Sequence, residues 1–336
     1  MITTNARLPG TASQSFAEPI YGLRLQCPQC EGTLDPIGQP ATGSEPLLRC
    51  SGCLFVLRCD KGIWKGLPQQ REAYFTRFIG EYQTVRAAEG RGSEDPEYYL
   101  ALPYRDLSDR NVSQWAMRAR TFRYILRKVL PPIEAVHPAA MKVLDLGAGN
   151  GWMSYRLALR GHRPAAVDLL TNDQDGLGAA LHFRKYLPAL FPRFQAELEH
   201  LPFADRQFDL AIFNASFHYS EDYERTLREA LRCLRPGGAV IIADTAWYRR
   251  DESGQKMLSE RRQVFTAKYG FPSDGIKSLE YLTDERLAIL EKRFGLRWRI
   301  HSPFYGMSWA MRPWLATLRG RREPSQFRIY VAEVKK

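Results

Sequence analysis

Val143-Leu144-Asp145-Leu146-Gly147-Ala148-Gly149-Asn150-Gly151 joins an apolar run to three glycines at alternate positions, and a helix-compatible stretch, Trp152 to Arg160, follows. This reads as a buried strand turning sharply into a helix, with the backbone bared at the turn. Glycine suits such a turn because a Cβ would block a ligand's close approach, and because turn positions call for φ > 0. The spacing D-x-G-x-G-x-G differs from the G-x-G-x-x-G of dinucleotide binders. The next apolar run, Ala165-Ala166-Val167, closes on Asp168, an acid that can accept hydrogen bonds from both hydroxyls of a ribose. A nucleoside-bearing cofactor at the carboxyl edge of a parallel sheet is the expectation.

The surrounding pattern agrees. Strands are predicted at 142–146, 165–169, 194–198, 209–214 and 239–244, and helices at 152–160, 175–186 and 221–234. Such alternation implies an α/β fold with a mainly parallel sheet and helices on both faces. Two further strand-like runs, 296–300 and 327–334, would close the sheet, after plausible helices at 257–269 and 284–294. Upstream, Trp115, Ala119, Phe122, Ile125, Leu126 and Val129 keep helical periodicity from Val112 to Leu130, which Pro131-Pro132 is expected to stop.

Four motifs in order, Val143–Gly151, Asp168, Leu201-Pro202-Phe203-Ala204-Asp205 with Phe208-Asp209, and Leu234-Arg235-Pro236-Gly237-Gly238, resemble class I S-adenosylmethionine (SAM) methyltransferases. The closest likeness is to the type 11 branch that includes the ubiquinone/menaquinone-biosynthesis enzymes. The resemblance covers about residues 139 to 245. It implies a Rossmann-like sheet with an antiparallel last strand. It also implies backbone contacts to SAM from Gly147, Ala148, Gly149 and Gly151, with Asp145 fixing the loop. Asp168 would take the ribose, Leu169 and Leu198 the adenine ring, and Glu197 the adenine amino group; Asn214 would lie at the cofactor's edge. Methyl transfer from a sulfonium relies on positioning, with a base needed only for a protonated acceptor. His218, Tyr219 and Asp244 follow the fourth and fifth strands and are the candidates for that proton; a loop histidine such as His218 also caps or packs beneath a helix.

The second signal is Cys27-Pro28-Gln29-Cys30 with Cys50-Ser51-Gly52-Cys53. Two C-x-x-C pairs at this spacing fit a four-thiolate zinc ribbon, whose closed tetrahedral site is structural. The order ribbon then SAM domain is similar to ribosomal-RNA guanine-N1 methyltransferases, although those usually end the ligand set with histidine where this chain has Cys53. The expected organisation is a disordered tail at 1–22, a zinc ribbon at 23–66, and a helical connector or lid at 67–138. The methyltransferase domain takes 139–336, with a cap at about 249–325.

With 336 residues, 44% hydrophobic and 25% charged, the chain has ordinary globular composition. The formal charge of +11 favours anionic partners. No apolar run spans a bilayer and the N-terminus lacks the apolar segment of a secretory signal, so a reducing cytoplasm is expected. Aromatics interleave with arginine from Tyr305 to Arg322; they either pack as a cap over the sheet or meet an anionic ring, a base or a membrane surface. The leading reading is a SAM-dependent methyltransferase acting on a small anionic or aromatic, even lipid-like, acceptor. An RNA-base methyltransferase and a non-catalytic zinc-ribbon docking protein are the alternatives.

Overall fold

The computed structural model describes residues 22–37, 46–137 and 139–335, so the tail expected over residues 1–22, Gly22 apart, lies outside the described residues. Four short strands come first: β1 (Leu34–Pro36), β2 (Leu47–Cys50), β3 (Val56–Asp60) and β4 (Ile63–Lys65). Helices α1 (Gln69–Ala88), α2 (Pro96–Ala101), α3 (Val112–Tyr124) and α4 (Leu130–Val136) lead to the sheet. Its strands are β5 (Lys142–Leu146), β6 (Arg163–Asp168), β7 (Arg193–Gln195), β8 (Phe208–Asn214) and β9 (Leu234–Ala243), with α5 (Trp152–Leu159) after β5 and α6 (Tyr223–Cys233) after β8. The C-terminal part holds β10 (Ala246–Trp247), α7 (Asp251–Tyr269), α8 (Asp284–Phe294), β11 (Arg299–His301), α9 (Met307–Ala310), α10 (Arg312–Leu318), β12 (Gln326–Phe327) and β13 (Ile329–Glu333).

The core strands run in the order β7-β6-β5-β8-β9-β13-β11. From β7 to β9 all pairs are parallel, while β13 is antiparallel to both β9 and β11. This is a Rossmann-like, mainly parallel sheet closed by an antiparallel strand, β13, within the run expected at 327–334. Strands β5 and β8 are buried almost throughout, as a sheet covered on both faces requires. Helix α6 shows how the covering works. Asp222 caps it by accepting from the N–H groups of Glu224 and Arg225 at 2.9 and 3.1 Å, and Tyr223, Thr226, Leu227, Ala230 and Cys233 form its buried stripe.

Three local expectations give way. The helix from Val112 does not stop at Pro131-Pro132: a widened π turn at Ile125–Val129 resets the hydrogen bonding, so both prolines fall in the first turn of α4, where no N–H is required. The segment expected as a helix from Asp175 is a 3-10 helix, Leu177–Tyr186. Its start is delayed because Asn172 Oδ1 already accepts from the N–H groups of Gln174, Asp175 and Gly176. Arg235-Pro236-Gly237-Gly238 makes a bulge within β9 rather than a turn before it: pairing passes from Phe208–Leu234 to Leu210–Ala239, with Gly237 at φ +80°.

The largest departure concerns the cysteine-bearing segment, expected as a separate module. Its strand β4 pairs in parallel with β7, in the register Ile63–Arg193, Trp64–Phe194 and Lys65–Gln195. The result is one eleven-stranded sheet. Leu57 and Trp64 join the apolar layer on one face and Ile63 the layer on the other. Burying an aliphatic side chain such as Leu57 or Ile63 stabilises by about 1.5–3 kcal/mol, so the segment is built into the core it adjoins.

Candidate cofactor and metal sites

Strand β5 delivers the chain to its carboxyl end at Leu146. There Gly147, Gly149 and Gly151 take φ of +73°, +55° and +78°. The N–H groups of Gly147 and Ala148 both donate to Val167 O at 2.9 Å, which locks the turn to β6. A Cβ on Gly147 would lie 2.2 Å from Ser216 Cβ, so no side chain fits. Beneath the turn, Asp145 Oδ2 accepts from the N–H and Oγ of Ser154 at 3.1 and 2.7 Å. This carboxylate fixes the start of α5 under the loop, and burial pushes it up to about 6.

Asp168, at the end of β6, accepts from Gly149 N–H on one oxygen and Leu170 N–H on the other, both at 2.8 Å. Burial outweighs these two donors and raises its carboxyl to about 6. Both groups face a cavity also lined by Ala148, Leu169, Leu198, Asn214 and Tyr219. Every cofactor residue named from sequence lines this cavity save Gly151, which opens α5, and Glu197. Glu197 faces an adjoining cleft. It is held by Arg71 Nη2 at 2.6 Å and His200 Nδ1 at 3.1 Å. Burial alone would raise it, yet the bonds from His200 and Arg71 keep it below the ordinary range.

The far wall comes from helices of the segment expected as a connector or lid. Phe78, Tyr82 and Arg86 of α1, and Trp115 and Arg118 of α3, line the cavity. Arg86 is paired with Asp175. Arg118 stacks 4.9 Å from the Trp115 ring and has no ion pair among the described residues; burial and the charges of Arg91 and Arg86 lower its pKa. The signal was present: Phe75, Phe78 and Tyr82 sit at i, i+3 and i+7, and Arg118 lies one turn beyond Trp115.

Of the three proton candidates, Tyr219 alone lines the cavity, its ring edge-on to Phe78 and Tyr82 at 5.9 and 5.7 Å. His218 lies behind it, ring centroids 4.3 Å apart, with Nδ1 buried and unpartnered. Burial drops its pKa to about 4, so the imidazole is neutral at physiological pH and a weak base. Asp244 follows β9 directly with φ +52°, a strained conformation for a residue with a side chain. Its Oδ1 accepts from Thr121 Oγ1 at 2.6 Å, and Thr121 in turn meets Tyr305 Oη at 2.8 Å. Oδ2 is buried with no partner, and burial lifts the carboxyl to about 6.

The four thiols of Cys27, Cys30, Cys50 and Cys53 lie within 4.8 Å of one another. Cys27 and Cys53 approach to 3.5 Å and Cys30 and Cys50 to 3.4 Å, far beyond the roughly 2.05 Å of a disulfide and near the roughly 3.8 Å between sulfurs of a tetrahedral zinc site with 2.3 Å bonds. A Cβ on Gly32 would stand 3.0 Å from Cys50 Sγ and 3.2 Å from Cys30 Sγ, so the cradle has no room to spare. The N–H of Cys53 helps lower the Cys50 thiol to about 7, toward the thiolate a metal needs. Cys233 is buried in α6, outside this cluster.

Residues 144–242 match the family model described as a methyltransferase domain. Malonyl-[acyl-carrier protein] O-methyltransferase of Erwinia pyrifoliae is 34% identical over 108 residues, covering 31% of this chain and 37% of that protein. The Halorhodospira halophila protein of the same name is 28% identical over 243 residues, covering 56% and 81%. A solved 1,6-didemethyltoxoflavin-N1-methyltransferase of Burkholderia thailandensis, with S-adenosylhomocysteine bound, is similar over 90% of this chain and 100% of that one, at 16% identity and a TM-score of 0.45. The chain thus spans little more than a third of the first relative's length.

Proposed function

We propose that the chain, whose residues 144–242 match a methyltransferase-domain model, transfers the methyl group of SAM to a small-molecule acceptor. The observation that carries this is Asp168: a cavity-facing carboxylate braced by Gly149 N–H and Leu170 N–H, beside a turn whose glycines leave the peptide bare. SAM, when bound, supplies a methyl group on a sulfonium that is open to in-line displacement. The residues of the chain do the rest by positioning. Asp168 has lone pairs left for ribose hydroxyls, and Leu169 and Leu198 offer apolar surface to a purine. The bare turn at Gly147 and Gly149 takes the amino-acid end, and Arg118 supplies the cation for its carboxylate. Glu197 has a different task here. Its oxygens are engaged by Arg71 and His200, so it ties α1 over the cleft instead of reading the adenine amino group.

Aromatic rings of Phe78, Tyr82, Trp115 and Tyr219 on the remaining wall favour an acceptor with an aromatic or apolar body. If that acceptor carries a proton, Asp244 is the stronger base of the pair, because burial lifts its carboxyl to about 6 and drops the His218 imidazole to about 4. The four cysteines would hold a structural zinc, with every thiolate committed and no open position.

Calorimetry of the full chain with SAM is the direct test. Micromolar binding is expected, with Asp168→Ala weakening it at least about tenfold, the loss of roughly 1.4 kcal/mol or more. Binding of a nicotinamide or flavin nucleotide in its place would overturn the reading.

A further inference from the structure

Phe304, Met307, Met311, Trp314 and Leu318 recur at i, i+3, i+7, i+10 and i+14. They are 67, 67, 43, 60 and 65% exposed, and neither α9 nor α10 contains a buried residue. Large apolar side chains exposed singly are normal; five exposed within residues 304–318, four of them at helical spacing through α9, Met311 and α10, are a binding surface. The segment is nevertheless anchored. Tyr305 is buried against Thr121, and Trp309 stacks on Phe327 with centroids 5.4 Å apart. The inward aromatics therefore hold the outward row in place.

Charge decides what the row faces. Residues 302–322 contain four arginines and no acid. Immediately beside α10, a surface cleft is lined by Lys256, Arg312, Arg319, Arg321 and Arg322 against the single acid Glu260, which Arg322 already engages at 2.6 Å. Arg319 and Arg321 have no ion pair among the described residues. A second copy of this chain would bring cationic rims together, on molecules that each carry +11, and repulsion opposes that. Trp, Phe, Met and Leu on one side with arginine at the rim is the composition of an element lying in the plane of a membrane interface. No helix among the described residues is long and apolar enough to cross a membrane, and surface attachment needs none.

We infer that the α9–α10 segment docks on an anionic phospholipid surface, its apolar row entering the acyl boundary while Arg319 and Arg321 meet headgroup phosphates. This inference is independent of the cofactor reading. Because Tyr305 reaches Thr121 and, through it, Asp244, docking would hold the carboxyl end of the sheet toward the lipid.

The test is co-sedimentation of the full chain with vesicles of phosphatidylcholine alone or of equal parts phosphatidylcholine and phosphatidylglycerol. Binding to the mixed vesicles is expected to be at least about tenfold tighter and to weaken as salt screens the charges. Arg319→Gln with Arg321→Gln should cost roughly twenty-five-fold, about five-fold for each charge near an anionic surface. Phe304→Ser with Trp314→Ser should abolish binding. All four side chains are exposed, so thermal unfolding of the variants should match the parent and exclude misfolding as the cause. Retention in the supernatant with both vesicle types would overturn the inference, as would unchanged sedimentation of the variants. A dimer in solution that Trp314→Glu dissolves would also overturn it, by naming a second copy as the occupant.

Discussion

Asp168 links chemistry to pH. Its carboxyl is raised to about 6, so it is ionised above that value and neutral below. Only the ionised form offers both oxygens as acceptors to a ribose. SAM affinity should therefore be full above pH 6 and fall as the pH drops through it. Asp168→Asn should bind weakly at every pH, with this slope gone; titration calorimetry across pH 5 to 8 reads both. A companion expectation concerns Gly147. An alanine there meets Ser216 Cβ at 2.2 Å in a left-handed backbone, so Gly147→Ala should lose about 2 kcal/mol or more of stability, measured by denaturant unfolding. These two positions were legible because each is defined by its immediate neighbours: a turn between apolar runs, and an acid that ends the next run. Glu197 was not. Its partner Arg71 lies 126 residues away, and nothing in the local pattern announces a bidentate pair that distant. Asp244 was legible as a position after a strand, but its strained φ and unpartnered oxygen are properties of the fold. If the acceptor is protic, Asp244→Asn should lower kcat at least about tenfold with SAM affinity nearly unchanged, while His218→Ala should leave most activity.

At the scale of elements, strand and helix type followed from periodicity, and boundaries shifted wherever backbone groups found other partners. The 3-10 helix after β6 begins late because Asn172 captures its first donors. Helix α1, within the segment expected as a connector or lid, hid which of its residues would face the cavity. Its mean pattern is polar, yet Phe75 and Val85 are buried and Phe78, Tyr82 and Arg86 form a wall of the cavity. What holds it there is the Arg71–Glu197 pair, with the glutamate nearly inaccessible. Removing one member of such a pair leaves a charge uncompensated. Arg71→Met should therefore speed SAM dissociation several-fold in stopped-flow measurements, although the residue does not line the cofactor cavity. Glu197→Gln with Arg71→Met should recover part of that loss; a double variant worse than the single one would deny the pair its clamping role.

For the whole molecule, parallel pairing of β4 with β7 joins the cysteine-bearing strands to the main sheet. No local signal in the sequence could show this, since both strands are three residues long and their pairing spans more than a hundred residues. The consequence reverses what a detachable module would do. Stripping the metal with a chelator, or changing Cys30 and Cys53 to serine, should loosen β1 to β4, the start of α1 and the cavity wall together. SAM affinity should fall at least about tenfold in step with the loss of ribbon structure followed by circular dichroism. Affinity unchanged on complete metal removal would show that the two parts stand independently. The same union bears on solubility. Among the described residues the sheet finishes on either side in strands of just three residues, β1 and β11, so β7, which would otherwise lie open, offers no row of unsatisfied peptide groups to a stray chain. Strands β1 to β4 thereby serve as a guard rail against templated aggregation.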